Sequence, residues 1–211
     1  MNNISIIVTC KGRLHHLKES LPKLINRTDD YVLVDYTCPD MCGAWAIANH
    51  CKTNVVHISG QQGFHHSKAR NIGAAHAKHE WLCFIDADMV VNDETLIENL
   101  KLVKGNMYLL DKYDHGYCGF LVIHRDDFNR IAGYNEKMIG WGYEDLDVRY
   151  RLTKIGISAV YVDHRGIKHI DHNDVERTQF TPTKDINASN SMNFRISDEY
   201  RDRLNGRNKV L

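Results

Sequence analysis

Residues 67–91 read SKARNIGAAHAKHEWLCFIDADMVV. The periodicity of this stretch changes once, and that change decides the fold. Ser67 suits a helix N-cap, and Ala69, Ile72, Ala75 and Ala77 follow it on a helical pattern. Trp81–Ile85 is then a short, unbroken apolar run, which reads as a buried strand. The run ends abruptly at Asp86, Ala87 and Asp88. One explanation is a turn, because Asp side chains bond nearby backbone N–H groups at strand ends. The other is a divalent cation that needs oxygen ligands at the carboxyl edge of a sheet. Two ligands at i and i+2 point to opposite faces of an extended strand, so both can reach one ion only where the strand stops and turns.

The same alternation extends towards the N-terminus. Ile4–Val8 is a β-branched strand, and Thr9–Gly12 a loop. Leu14, Leu17, Leu21 and Leu24 recur at helical spacing. Tyr31–Val34 is a second strand ending in Asp35, and Val55–Ile58 a third. After the DAD triplet, Asn92 or Asp93 is expected to cap a helix carrying Leu96, Ile97 and Leu100. The first hundred residues therefore predict an α/β domain with a mostly parallel central sheet flanked by helices. In such sheets ligands bind at the carboxyl ends of strands, where Thr9–Arg13, Asp35 and DAD all fall. Further on, Tyr117–His124 reads as a strand, Arg125–Ala132 as a short helix, Gly133–Gly142 as a loop, Asp145–Lys154 as a helix and Ala159–Val162 as a last strand. Beyond about residue 175 the text is polar and reads as a tail, either packed on the body or partly disordered. A single domain over 1–174 is the simplest account, with a first half to about 105 and a second from about 106 to 174.

Composition excludes several classes. The 211 residues are 43% hydrophobic, and 27 basic residues balance 27 acidic ones, so no nucleic-acid partner is held by bulk charge. No run approaches the ~18–20 apolar residues of a membrane span. The N-terminus lacks the pattern of a signal peptide. GxxxxGK[ST] and GxGxxG are both missing. Six cysteines read best as reduced thiols; Cys38, Cys42 and Cys51 with His50 match no known ligand spacing.

Three further segments carry possible chemistry. IGWGYEDLDVRYRL, residues 139–152, sets Trp141 between Gly140 and Gly142 and follows it with Glu144, Asp145 and Asp147. Acids at a helix start complement its dipole. That does not account for the indole, whose face in a mobile loop is a platform for a sugar ring, with a neighbouring carboxylate able to take a hydroxyl proton. GIKHIDHND, residues 166–174, offers His169 or His172 as a nitrogen ligand. GFHHSKARNIG, residues 63–73, opens a helix with Lys68 and Arg70, where anions are favoured.

Taken in order, these segments resemble a glycosyltransferase of the GT-A, Rossmann-like fold. SKARNIGAAHAKHEWLCFIDADMVV is similar to the family 2 pattern of an A-R-N-x-G helix and a strand ending in D-x-D. VTCKGRLHHLKESLPKL and FNRIAGYNEKMIGWGYEDLDVRYRL resemble the opening and the acceptor segment of the β-1,4-galactosyltransferases. The resemblance covers residues 4–172. It implies a hexosyltransferase that uses Mn²⁺ or Mg²⁺, a nucleotide-sugar donor (a UDP-sugar first) and a saccharide or glycolipid acceptor. Asp88 would be the main metal ligand, with Asp86 near the ribose or the metal and His169, or alternatively His172, completing the set. Thr9, Arg13, Asp35, Lys68 and Arg70 would hold the nucleotide. Trp141, Gly142 and Glu144 would meet the acceptor or donor sugar. Asp145 would be the catalytic base of an inverting displacement. The galactosyltransferases have glycine and another acid where this chain has Tyr143 and Leu146, which leaves both sugars open. A cytoplasmic enzyme of polysaccharide synthesis, soluble or peripheral to the inner face of a membrane, fits better than a Golgi-type one. A retaining transferase, and a sugar-nucleotide- or glycan-binding protein without turnover, are the competing readings.

Overall fold

The computed structural model describes residues 3–93, 95–110 and 117–204, the side chains of 199–204 excepted. Four strands alternate with three helices in the first half: β1 (Ile4–Cys10), α1 (Leu14–Leu24), β2 (Tyr31–Tyr36), α2 (Cys42–Asn49), β3 (Thr53–Ile58), α3 (His66–His76) and β4 (Trp81–Phe84). β5 (Met89–Val91), β6 (Asn106–Leu110), β7 (Leu121–His124), α4 (Arg125–Arg130), α5 (Glu144–Lys154), β8 (Ser158–Val162), β9 (Ile167–His169), α6 (Asp174–Thr178) and α7 (Ile186–Leu204) follow. The main sheet has seven strands in the order β3-β2-β1-β4-β7-β6-β8. β3, β2, β1 and β4 run parallel, β7 is antiparallel to both β4 and β6, and β8 is parallel to β6. The expected α/β fold with a mostly parallel sheet is the one observed.

Both faces of the sheet are covered, as the continuous apolar strands require. Ile4, Ile6, Val8 and Cys10 face one core with Leu17, Leu21 and Leu24 of α1. Ile7, Val32 and Val34 face the other with Ala69 and Ala74 of α3 and Val148 and Leu152 of α5. That alternation along β1 is the two-residue period of a strand.

Several elements depart from the sequence reading; β6 was not expected, and α3 is capped by His65 rather than Ser67. The helix expected after Asn92 does not form: residues 95–99 are turns, and Glu94 lies outside the described residues. The Asn92 and Asp93 N–H groups both donate to Gly166 O, and the Asp93 carboxylate closes a local turn on Thr95 N. Leu96, Ile97 and Leu100 are buried all the same. α2 was not expected, because CGAWAIAN has no apolar stripe and Met41, its N-cap, makes no side-chain cap. Its cap comes from the preceding strand instead: Asp35 Oδ1 accepts from Cys38 N at 2.8 Å and Oδ2 from Gly43 N at 3.0 Å. The ribbon of β5 and β9 was also unforeseen, at three residues a strand. Finally, the polar text after 175 holds α6 and α7. Among the described side chains of α7 the buried ones are Ser189, Asn193 and Ser197, a stripe at i, i+4 and i+8 that is polar rather than apolar.

Candidate active site

β1 pairs with β2 on one side and β4 on the other, so the loops after β1 and β4 diverge at the switch point of the parallel strands. A cavity of about 460 Å³ opens there. The loop after β1 contributes Thr9, Lys11 and Arg13, and the turn after β4 contributes Asp86, Ala87 and Asp88. The start of α5 closes the far side with Glu144 and Asp145, beside Trp141 and Gly142. Arg70, His169 and His172 also line it. Asp35 and Lys68 are not among the lining residues; the Asp35 carboxylate is engaged by the α2 backbone.

Arg70 organises the carboxylates. Its guanidinium is 3% exposed. It donates to Asp86 Oδ1 at 2.8 Å and to Glu144 Oε1 at 3.0 Å. Asp145 Oδ1 is 3.3 Å from Arg70 Nη1, close enough for attraction but without hydrogen-bond alignment. The two acids of α5 therefore differ. Burial works against the charge of Glu144, but Arg70 outweighs it and holds the carboxyl below its usual range. Burial dominates at Asp145, and the neighbouring Glu144 and Asp86 add to it, so its pKa is pushed up to about 8. The geometry also needs a glycine opposite Asp86, since a Cβ on Gly119 would lie 1.8 Å from Asp86 Oδ2.

Asp88 faces two imidazoles. His172 Nε2 lies 2.7 Å from its Oδ2 and His169 Nε2 lies 3.7 Å away. The ribbon makes this possible across 81 residues of chain: Met89 pairs with His169, and Ile170 N donates to Asp88 O at 2.8 Å. Asp88 is one of a set with His169 and His172 whose ligand atoms all lie within 4.8 Å of one another. Its Oδ1 is buried with no hydrogen-bond partner. A carboxylate with two imidazoles and one unspent oxygen fits a Mn²⁺-class ion. Burial would raise the Asp88 carboxyl, but the His172 hydrogen bond and the nearby His169 outweigh it and hold it low. Behind this set, burial drives the His16 imidazole down to about 4, and its ring stacks 5.9 Å from that of His172.

The last wall was not read from the sequence at all. Arg177 Nε donates to His172 Nδ1 at 3.2 Å, and its guanidinium lies 5.4 Å from the centre of the Trp141 ring. Phe180 lies over the loop after β1: a Cβ on Gly12 would be 2.1 Å from its ring, and Lys11 Nζ is 5.3 Å from its centre. α7 pins the Trp141 segment. Trp141 N donates to Ser189 Oγ at 2.8 Å, Ser189 Oγ donates to Trp141 O at 3.0 Å, and Asn193 Nδ2 donates to Gly142 O at 2.8 Å. The loop expected to be mobile is thus held at both of its backbone faces. Arg177, Phe180 and Asn190 carried no motif; only their place after GIKHIDHND could have drawn attention to them.

A seven-stranded sheet with its cavity at this switch point is the architecture of a GT-A glycosyltransferase domain. The chain belongs to glycosyl transferase family 2, whose profile matches residues 5–160. It is 32% identical over 117 residues to β-1,4-galactosyltransferase 4 of Rattus norvegicus, covering 49% of this chain and 34% of that protein. The human protein of the same name is 29% identical over 109 residues, covering 46% and 32%. The chain thus spans about a third of the length of these curated relatives. Among solved structures, the catalytic domain of Drosophila β1,4-galactosyltransferase 7 in complex with xylobiose superposes with a TM-score of 0.63 at 16% identity, over 90% of this chain and 78% of that one. The mannosyltransferase PcManGT of Pyrobaculum calidifontis, in complex with GDP-Man and Mn²⁺, gives 0.64 at 15%, over 84% and 61%. At such identities the likeness speaks to fold. No described helix is long and apolar enough to cross a membrane.

Proposed function

We propose that this glycosyltransferase is metal-dependent, takes a UDP-sugar and transfers the sugar with inversion to a saccharide hydroxyl, as a step in polysaccharide or glycolipid assembly. The observation that carries this reading is the pairing across one cavity of Asp88, with its unspent oxygen among two imidazoles, and Asp145, whose buried Oδ1 has no hydrogen-bond partner. Asp88 and His169 are the ligands we assign. His172 takes a different part: its Nδ1 accepts from Arg177, so its Nε2 carries the proton and gives it to Asp88. When bound, the divalent ion supplies positive charge against the diphosphate of the departing nucleotide.

The chain's own groups do the rest. Arg70 ties up both Asp86 and Glu144 in hydrogen bonds, so neither is a free nucleophile. That favours a single displacement over a double one. Asp145 is the one acid of the α5 pair free to accept the acceptor's proton. Its raised pKa matches a base that must release that proton again near neutral pH. Trp141, held by α7, offers its indole face to the acceptor sugar. The galactosyltransferase relatives and the UDP-Gal and xylobiose of a neighbouring structure support the donor and acceptor classes; a GDP-Man neighbour makes GDP the nucleotide to test beside UDP.

Calorimetry of UDP binding tests the assignment. With Mn²⁺ the wild type is expected to bind UDP, while EDTA or Asp88→Ala removes binding. Asp145→Asn is expected to bind as the wild type does and to turn over no donor. UDP binding indifferent to metal and to Asp88→Ala would refute the metal site, and turnover by Asp145→Asn would refute the base. NMR of the product's anomeric configuration decides inversion.

A further inference from the structure

A second ligand cluster lies under the loop that walls the cavity. Cys10 ends β1, Cys38 follows β2, and Cys42 opens α2. The three sulfurs lie within 4.8 Å of one another and all three residues are buried. Cys51, closer in sequence to Cys42 than Cys10 is, is exposed and takes no part. The fold therefore chooses a different trio from the one sequence proximity suggests. Ordinary core thiols do not need to converge: Cys83 is equally buried and stands apart.

We propose that Cys10, Cys38 and Cys42 form a thiolate site for a thiophilic cation of the Zn²⁺ class, separate from the carboxylate and imidazole set, which fixes the loop after β1. The spacing suits it. Zinc–sulfur bonds of about 2.3 Å place tetrahedral sulfurs roughly 3.8 Å apart, so inward shifts of under about 1 Å would seat all three on one ion, whose fourth position would go to water. The ligand chemistry suits it as well, since three sulfurs select a soft cation where Asp88 and its imidazoles select a harder one. Binding replaces three S–H bonds by three metal–sulfur bonds and releases three protons, leaving the site with one net negative charge. Donors for that charge are already in place: Gly12 N points at Cys38 Sγ at 3.2 Å, and Cys42 is the first residue of α2, where the helix dipole favours an anion. Because Thr9, Lys11 and Arg13 line the cavity on the same loop, the site would set the donor wall without touching the donor.

Co²⁺ is the probe that separates the two sites, because only thiolate ligands give an intense near-ultraviolet charge-transfer band. Reduced, metal-stripped wild type is expected to develop that band to saturation at one Co²⁺ per chain and to lose it when Zn²⁺ is added. Cys38→Ser and Cys42→Ser are expected to lose the band, and Asp88→Ala to keep it. In weakly buffered solution, Zn²⁺ uptake by Asp88→Ala should release about three protons, a readout that needs no cysteine variant. A wild type without the band, a band that survives Cys38→Ser, or uptake without proton release overturns the proposal. So does a thiol count two short of six in chain purified without reductant, which would make the cluster a disulfide with a third thiol beside it.

Discussion

The cavity has two walls of opposite character. One is built from strand ends and a helix start: Thr9–Arg13, Asp86–Asp88, Glu144 and Asp145. The other is built from residues 172–197, which wrap over it through Arg177, Phe180 and the polar stripe of α7. The first wall holds the acids assigned to the chemistry, and its positions follow from the sheet. The second supplies no acid that we place in the chemistry; it fixes the shape of the first. Ser189 and Asn193 hold the backbone around Trp141, and Ser197 donates to Asp147 Oδ1 at 3.1 Å under the start of α5. On the proposed reading, reaction type belongs to one wall and substrate fit to the other, and variants in each should fail in different ways.

The largest effect is expected on the first wall. Asp145→Asn keeps the shape and removes the base, so kcat should fall by about 10²–10⁴-fold with UDP affinity unchanged. The same residue sets two pH trends of opposite consequence. Its carboxyl is raised from an ordinary value of 3.8 to about 8, so the neutral form is the one the fold prefers. Stability from this group is complete below the ordinary value and is lost as pH rises through about 8. Asp145→Asn should flatten that loss in urea titrations at successive pH values. Activity runs the other way: kcat/KM of the wild type should climb with pH through about 8 as the base form appears. A kcat/KM profile flat across that range would show that Asp145 is not the base.

The contrast between the walls also explains what could be read in advance. Apolar strands ending in acids, and helices with leucines or alanines at regular spacing, announce themselves, and from Ile4 to Asp88 they marked the four parallel strands and two of the three helices between them. Pattern reading rests on apolar periodicity, and α7 buries Ser189, Asn193 and Ser197 instead. Its partners are the carbonyls and N–H groups of the glycine loop, and no periodicity encodes those. The same limit hid α2, whose cap is Asp35 from a neighbouring strand. It hid the ribbon too, where three residues of β9 set His169 beside Asp88. Long-range pairing of such short segments leaves no local trace. Family resemblance marked His169, but only the packing distinguishes it from His172, through the Arg177 hydrogen bond.

A smaller effect is expected where the walls meet. Gly142 has φ +94°, and a Cβ there would lie 1.8 Å from Asn190 Oδ1 on α7. Gly142→Ala should therefore cost roughly 1–3 kcal/mol from backbone strain, plus the displacement of Asn190. Asn190→Ala added to it should recover the second part and not the first. Denaturation of the single and double variants measures the split. If the double variant gains nothing, α7 does not hold the loop through Asn190. If it recovers all of the loss, the backbone strain is negligible.

The smallest effect is expected from Phe180, and it tests the second wall most directly. The ring lies against Gly12 and within reach of the Lys11 ammonium, while its carbonyl accepts from Phe64 N at 2.7 Å. Phe180→Ala removes the ring and keeps the backbone bond, so the segment has reason to stay in place. An aromatic face lost from the nucleotide side of a cavity is worth about 1–2 kcal/mol, a factor of roughly 5–30 in affinity. UDP affinity and donor KM should weaken by that factor, with kcat almost unchanged, because Phe180 carries no group that could take part in the proton transfer assigned to Asp145. A fall in kcat at unchanged donor KM would mean that the second wall takes part in the chemical step, and the division of labour between the walls would be wrong. A loss confined to acceptor KM would keep the division but move the donor to the other end of the cavity, against Trp141.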